Sequence, residues 1–514
     1  MNKFLQLSFL FCSLNLFSQP GSLDQSFGDS GKVITSITDG SDKAYGVALQ
    51  SDGKIVVAGM NTSTLTGKDF LCIRYNSDGT LDSSFGTNGI FTYDVQIGSE
   101  DVAYSIALQS DGKIILAGYS DDGSNKNAAL VRLNLDGSLD TTFGISGKVI
   151  TDFITNRADE IKVVKIHSLT GNIVVGGTSA LTSTNSQIAI ARYNSSGVLD
   201  STFGNSGIAT IVNSGIGAGT YSPVIEDLVV KSNGKITAVG WYEQQNLNWS
   251  ANYYTCRLNS NGTFDSTYSS DGISFFNGSF NGNDKAFSLL LNSDDSFIMG
   301  GSGNVSSQNY AFTLIKITNS GTLATPTFEN QISIGFNGLH TSMNYDLELD
   351  LTGKYISVGS TGTSNSKQFA ITRVNPNFTL DLNFGTSGRV TTSFGSNSIN
   401  EAYDSVIQSD NKIVVVGYSG NDIALARYNG EALSIDEFEE NKSITIYPNP
   451  AKSELNVNFN YEINDYNYKI YDISGKLIIS GELNFNMNSI NTENLSKGLY
   501  VLKIDNKNVK FLKE

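Results

Sequence analysis

The segment Arg74-Tyr75-Asn76-Ser77-Asp78-Gly79-Thr80-Leu81-Asp82-Ser83-Ser84-Phe85-Gly86 constrains this chain more than any other, because it recurs. Further copies occupy Arg132 to Gly144 and Arg192 to Gly204, with looser ones at Arg257 to Ser269 and Arg373 to Gly385. Each carries a cation and, eight residues after it, an aspartate: Arg74/Asp82, Arg132/Asp140, Arg192/Asp200, Arg257/Asp265 and Arg373/Asp381; a polar glycine turn lies between them in all but the last, where Phe378 takes the glycine's place. In one further copy Lys316 replaces the arginine and Ala324 the aspartate, so both members change together, which predicts that they touch. A guanidinium fork on a carboxylate would latch the crossover from one repeat to the next. The alternative is an aspartate that caps its own turn beside an arginine lying over an apolar face.

A second mark sets the period. Runs related to Lys-Ile-Val-Val-Ala-Gly end at Gly59, Gly118, Gly177, Gly240, Gly301, Gly359 and Gly417, in steps of 59, 59, 63, 61, 58 and 58 residues. Self-similarity at that spacing means a repeat architecture. In the first copy, 32–37, 45–50, 54–60 and 70–75 read as strands, and Tyr45, Val47 and Leu49 alternate with small residues. Ser51-Asp52-Gly53 is a hairpin turn joining two of them. Four antiparallel strands, seven times over, predict an all-β chain forming a seven-bladed β-propeller of four-stranded blades. A β-solenoid is the rival, and the hairpin turns count against its parallel rungs. At the ends of the array Asp24 has Leu16 where its cation should be, and Arg427 has Ile435 where its aspartate should be. The two are complementary halves, so residues 23–28 are expected to dock beside residues 423–429 and close the ring.

Composition narrows the function. The 514 residues are only 16% charged and carry a net charge of −16. Nucleic-acid binding needs a cationic footprint, so no nucleic-acid partner is expected. Residues 1–18 read as a signal peptide: Lys3 precedes an apolar run from Phe4 to Phe17, too short to span a bilayer, with cleavage expected after Ser18. Cys12 follows Phe11 and lacks the setting of a lipidated cysteine, and no later stretch predicts a transmembrane segment. Cys72 and Cys256 remain; their strand registers differ by one residue, so they face opposite ways and do not form a disulfide.

The array is expected to span residues 19–430. An acidic linker follows at 431–442, and residues 443–514 form a small β-sandwich of immunoglobulin-like type. The turn Leu-Asp-x-x-Phe-Gly, followed by Ala-Tyr-x-x-Ala-Leu-Gln-Ser-Asp-Gly-Lys-Ile, resembles the delta-60 repeat of exported bacterial proteins. That resemblance implies a secreted or surface propeller and brings no catalytic residues with it. Tyr447-Pro448-Asn449-Pro450, the Gly475-Lys476 turn and the strand holding Gly498 and Tyr500 together resemble the type A sorting domain of type IX secretion. This second resemblance implies an outer-membrane secretion translocon as partner of residues 443–514, and an extracellular or outer-membrane surface location.

No catalytic constellation is recognised. His167 and His340 stand alone, without a Cys or His at ligand spacing. Asn76, Asp78 and Asp82 bring oxygens together but lack the bidentate Glu of a calcium loop, so no cofactor is expected and Ca²⁺ is the one ion weighed. Asp42, Asp101 and Asp284 each precede an aromatic by three residues, with Asp159 and Glu401 nearby. They are read as loop caps, with a cation or cationic ligand as the alternative. The loops opposite the regular turns vary in length, and binding sits on such loops. There Trp241, Tyr242, Trp249 and Tyr254 are candidates for an exposed surface that meets a glycan or protein ligand. The expected function is a non-catalytic binding or adhesion module. A polysaccharide-active enzyme and a structural surface-layer component are the alternatives.

Overall fold

The computed structural model describes residues 19–37, 39–181, 186–211, 221–244, 250–276, 283–306, 309–325, 329–336, 341–395, 398–431, 444–459, 467–472, 476–483, 489–504 and 507–514. The expected leader, most of the acidic linker, Trp249, His340 and Gly475 lie outside these residues. The chain forms two compact units, Met1–Ala432 and Leu433–Glu514. No α-helix occurs among the described residues.

Among the described residues the first unit is a succession of seven four-stranded antiparallel sheets. The first is built from Lys43–Leu49, Ile55–Ser63, Gly67–Tyr75 and Ile90–Tyr93, hereafter its inner, second, third and outer strands. The same order recurs through the sixth sheet, which ends at Arg389–Thr392. The inner strands touch one another in sequence, and the seventh touches the first, so the repeats form a closed cycle. The seventh sheet takes Asn400–Ile407, Ile413–Ser419 and Asp422–Tyr428 from one end of the array and its outer strand, Lys32–Thr35, from the other. Lys32 lies opposite Ala426 and Thr35 opposite Ile423.

This grouping corrects one sequence expectation. The segments 32–37 and 70–75 do not belong to one sheet. The strand holding Arg74 pairs with Ile90–Tyr93, so the Arg–Asp turn joins two strands of a single sheet and is not the crossover between sheets.

Each middle strand is apolar on both faces because sheets cover it from both sides. Val56, Ala58, Phe70 and Cys72 pack with Leu116 and Val131 of the second sheet. Their neighbours Ile55, Val57, Leu71 and Ile73 pack with Val414, Val416 and Leu425 of the seventh. Period-2 alternation therefore sorts residues between two cores rather than between core and water. Cys72 faces the second sheet and Cys256 the third, one forward and one backward around the cycle; both are buried free thiols.

The glycine column has a steric cause. A Cβ on Gly59 would sit 1.9 Å from the Lys43 carbonyl oxygen, and one on Gly118 would sit 1.8 Å from that of Val102. The other five members approach their inner strands as closely, at 1.8–2.1 Å. The inner strand bulges at that point in all seven sheets, as at Ala44/Gly46 and Ala103/Ser105. A bulge leaves one residue unpaired and turns its side chain out of the ladder.

The second unit has a three-stranded sheet (Ile444–Tyr447, Glu454–Phe459, Ser489–Asn491) and a four-stranded one. The latter is ordered Leu477–Glu482, Asn467–Asp472, Gly498–Ile504, Lys507–Lys513. Leu455, Val457, Ile470, Ile490, Leu502 and Phe511 share one core.

Candidate binding site at the mouth of the axial channel

The unpaired residues at the seven bulges are Tyr45, Tyr104, Lys162, Glu226, Phe287, Tyr345 and Tyr403. All are half-buried and surround the axis enclosed by the inner strands. Five form a continuous aromatic arc. Ring centroids are 5.0 Å apart for Phe287–Tyr345, 4.8 Å for Tyr345–Tyr403, 5.1 Å for Tyr403–Tyr45 and 5.3 Å for Tyr45–Tyr104. The remaining two make a polar arc. Lys162 Nζ lies 4.0 Å from the Tyr104 ring centroid and 2.9 Å from Glu160 Oε1. Burial alone would lower the Lys162 pKa, but the Glu160 and Glu226 carboxylates outweigh it and raise it. Burial raises Glu226, while Lys162 and the Trp241 indole N–H, 3.0 Å away, draw it back. Inner strands begin at the face of the variable loops, so this ring lies toward that face.

One residue further along, three of the inner strands carry an aspartate: Asp227, Asp346 and Asp404. Asp404 accepts the Val47 N–H of the next sheet at 2.7 Å, and Asp227 that of Leu289 at 3.0 Å. Asp346 accepts the Ser405 hydroxyl at 2.6 Å. Lys165 Nζ lies 3.4 Å from Asp227 and also faces Asp346, Glu348 and Asp404. Four carboxylates thus share one ammonium. Burial, then the Asp346 charge, pushes Glu348 up to about 8. Burial pushes Asp346 up to about 6 and Asp404 well above the carboxylate range.

The sequence candidates fall in different places. Trp241 stands behind Glu226 with Lys285 Nζ 3.6 Å from its ring centroid, and so lines the polar arc from outside. Tyr242 and Tyr254 are only 6% and 1% exposed and pack edge-on against Phe275, so the expectation of exposed rings is corrected for both: they are core. His167 is held by the Thr170 hydroxyl at 2.7 Å and the Ser232 carbonyl at 3.1 Å. Asp42, Asp101 and Asp159 accept the backbone N–H groups of Ile37, Val95 and Phe153 in the loops leading into the next inner strand. Asp78 accepts from Thr80 within its own turn.

The Arg–Asp columns meet on the opposite face. The Nε–Oδ2 distances are 2.7 Å for Arg74–Asp82, 2.8 Å for Arg132–Asp140, 2.9 Å for Arg192–Asp200 and Arg257–Asp265, and 2.7 Å for Arg373–Asp381. Arg427 and Asp24, 403 positions apart in sequence, meet at 2.7 Å. Each guanidinium also covers an aromatic ring, such as Phe85 at 4.6 Å and Phe27 at 4.6 Å, which accounts for the Phe of the motif. Arg74 donates to the Leu135 carbonyl and Arg427 to that of Ser77, in each case the turn of the next sheet around the cycle. A second cation was not anticipated: Lys54, Lys113, Lys235, Lys354 and Lys412 join the same aspartates at 2.6–3.2 Å. Where the pair is Lys316/Ala324, the bond between them among the described residues is the backbone one from Ala324 N–H to the Lys316 carbonyl, at 3.0 Å.

In the second unit Tyr447, Pro448, Asn449 and Pro450 are exposed, Tyr447 by 57%. Asn449 Oδ1 accepts the Leu512 N–H at 2.8 Å. Lys476 is exposed, with its N–H on Asp472 at 3.1 Å. Tyr500, on the strand begun by Gly498, is buried and donates to the Ser496 carbonyl at 2.9 Å.

Repeated antiparallel sheets around an axial mouth, followed by a separate small β unit, define a repeat protein of the β-propeller class with an appended module. Residues 50–85, 109–143, 170–203, 231–268 and 408–432 match the DUF5122 beta-propeller family, a domain of unknown function, and residues 445–514 match the secretion system C-terminal sorting domain. The chain therefore carries repeats that match this β-propeller family and a sorting tail, and the tail marks it for export to the cell surface or extracellular space and for engagement of the type IX secretion machinery. No described helix is long and apolar enough to cross a membrane. No curated protein matches the sequence. Among solved structures the chain is similar to a catalytically inactive virginiamycin B lyase from Staphylococcus aureus with quinupristin. That likeness has 12% identity and a TM-score of 0.41, covering 77% of this chain and 98% of that one. It is also similar to a polysaccharide lyase (9%, TM-score 0.41, covering 79% and 92%) and to a glucose dehydrogenase (9%, 0.35, covering 78% and 100%). At such scores these likenesses carry no argument about activity.

Proposed function

We propose that this chain is an exported seven-bladed β-propeller with an immunoglobulin-like sorting sandwich, acting as a non-catalytic module that binds a glycan at the mouth of its axial channel. The supporting observation is the ring of bulge residues. One side of the mouth offers aromatic faces and edges suited to sugar rings; the other offers Lys162, Glu226 and Lys285 to hydroxyl and carboxylate groups. The scaffold holds these side chains without loop rearrangement, so little ordering entropy opposes binding. Glycan-array binding of the full chain tests the reading. Binding should be lost in Trp241→Ala and Lys162→Ala and kept in Trp249→Ala. Absence of any glycan signal for the wild-type chain overturns it.

A second reading rests on the carboxylate cluster below the ring. Groups that protonate near neutral pH in a channel are suited to acid–base chemistry on a polysaccharide. Its test is cleavage of polysaccharide that disappears in Glu348→Gln while the melting temperature is unchanged or raised.

A further inference from the structure

The rim between the first and second sheets holds a group of oxygens that the channel does not use. Asp69 lies on the third strand of the first sheet, Asp94 directly follows its outer strand, and Asp101 lies on the inner strand of the second. One carboxylate oxygen from each lies within 4.8 Å of the others. Oxygens sharing a calcium-sized cation are separated by at most twice the metal–oxygen distance, about 5 Å; for a magnesium-sized ion the limit is about 4 Å.

Two further oxygens point to something positive. Asp69 Oδ1 and Asn61 Oδ1 are buried and accept no hydrogen bond among the described residues. Asn61 and Asp69 are direct cross-strand partners, so their side chains leave the same face of the sheet side by side. They are 3% and 6% exposed. Two neighbouring buried acceptors without a donor are costly, and a cation satisfies both at once.

The other carboxylate oxygens are already oriented. Asp69 Oδ2 accepts the Thr66 hydroxyl at 2.7 Å, and Asp94 Oδ2 the Gly98 N–H at 2.9 Å. Asp101 accepts the Val95 N–H and the Ser99 hydroxyl, each at 2.6 Å. Among the described residues no lysine or arginine pairs with any of the three; Lys68 is engaged by Glu100 at 2.5 Å. At the next junction around the cycle Asn127 takes the place of Asp69 and Ser120 that of Asn61, so the full oxygen set is particular to the first.

We propose that Asn61, Asp69, Asp94 and Asp101 form a divalent-cation site of the calcium class, with water completing the shell on the side of the half-exposed Asp94. The ion fastens four segments of two sheets together at the rim of the variable face.

The test is calorimetric titration of the full chain, stripped with EDTA, using CaCl₂ and then MgCl₂. One calcium ion per chain is expected, with calcium preferred and the melting temperature raised by calcium over EDTA. Affinity should fall by about tenfold or more in Asp94→Asn and in Asn61→Ala. Exposed Asp52→Asn, in a hairpin turn, should leave it unchanged. Should Asp94→Asn fail to fold, terbium emission excited through tyrosine replaces it. Tyr93, which adjoins Asp94, is the expected donor, so Tyr93→Phe should lower emission with calcium affinity kept. Lack of saturable calcium binding, binding undiminished in Asp94→Asn and Asn61→Ala, or terbium emission unchanged in Tyr93→Phe each overturns the proposal.

Discussion

Asp24 shows how much a single side chain carries in this architecture. Burial by itself would raise its pKa, but the Ser26 N–H and hydroxyl, Lys412 and Arg427 together hold it near 2 instead of 3.8. A carboxyl depressed on folding contributes stability that is present above the unfolded value and is lost as pH falls through the folded one. That window runs here from about pH 4 to about pH 2, and the contribution is about 2 kcal/mol. Removing Arg427 leaves the carboxylate with its Ser26 bonds and, as cation, Lys412. Arg427→Ala is expected to cost about 3 kcal/mol in urea denaturation, and a change below about 1 kcal/mol would show that the closure is held mainly by its backbone bonds. The channel carboxyls have the opposite sign. Glu348 is raised on folding, so the folded state holds more protons between about pH 4.5 and pH 8, and stability falls as pH rises through that range. In Glu348→Gln the drop in melting temperature between pH 5 and pH 8 should shrink; an unchanged drop would mean that Glu348 is not a source of it.

At the scale of the element, the paired features are a bulge and the glycine facing it. Gly118→Ala places a methyl 1.8 Å from the Val102 oxygen, and the inner strand must either lose its bulge or move away from the second strand. The expected cost is about 3 kcal/mol or failure to fold, checked by urea denaturation; a cost under about 1 kcal/mol would mean that the bulge is not needed. The glycine column was legible in the sequence as a period. Its purpose was not, since a close backbone approach leaves no trace in composition. The same limit hid the ring of bulge residues: Tyr45, Tyr104 and Tyr403 follow small residues in a readable pattern, but Lys162 and Glu226 occupy the same position with unrelated chemistry. The Arg–Asp columns were legible because both members vary together, as Lys316 and Ala324 do. Tyr242 and Tyr254 misled because an aromatic-rich strand between two sheets has no exposed face. Strand grouping was misread for a related reason: the chain repeats with the same period wherever a repeat is taken to begin, and only hydrogen bonding places Ile90–Tyr93 beside Gly67–Tyr75.

For the whole molecule, the sorting tail that directs export and the ring of bulge residues belong to different units. Removing residues 443–514 is expected to retain the chain inside the cell envelope, with the remainder still folded by circular dichroism. Undiminished appearance outside the cell, by fractionation, would argue that another segment directs delivery.

The pairing of Lys32–Thr35 with the last repeat also sets how the array bears force. The outer bonds, from Gly21 N–H to the Asn429 carbonyl and from Asp24 to Arg427, lie at the same end of that antiparallel pair as the two places where the chain leaves the ring. Tension between residues 19 and 431 therefore loads one rung at a time. The bonds that tie these ends to the sixth sheet, from Gln19 and Pro20 to Gly385 and from Glu431 to Lys354, part with the Gly21 contact; the Arg427 ion pair follows, then Lys32 from Ala426 and on to Thr35 from Ile423. A chain held at residue 19 and pulled at residue 431 is expected to peel at this seam, where the first and last segments of the array meet.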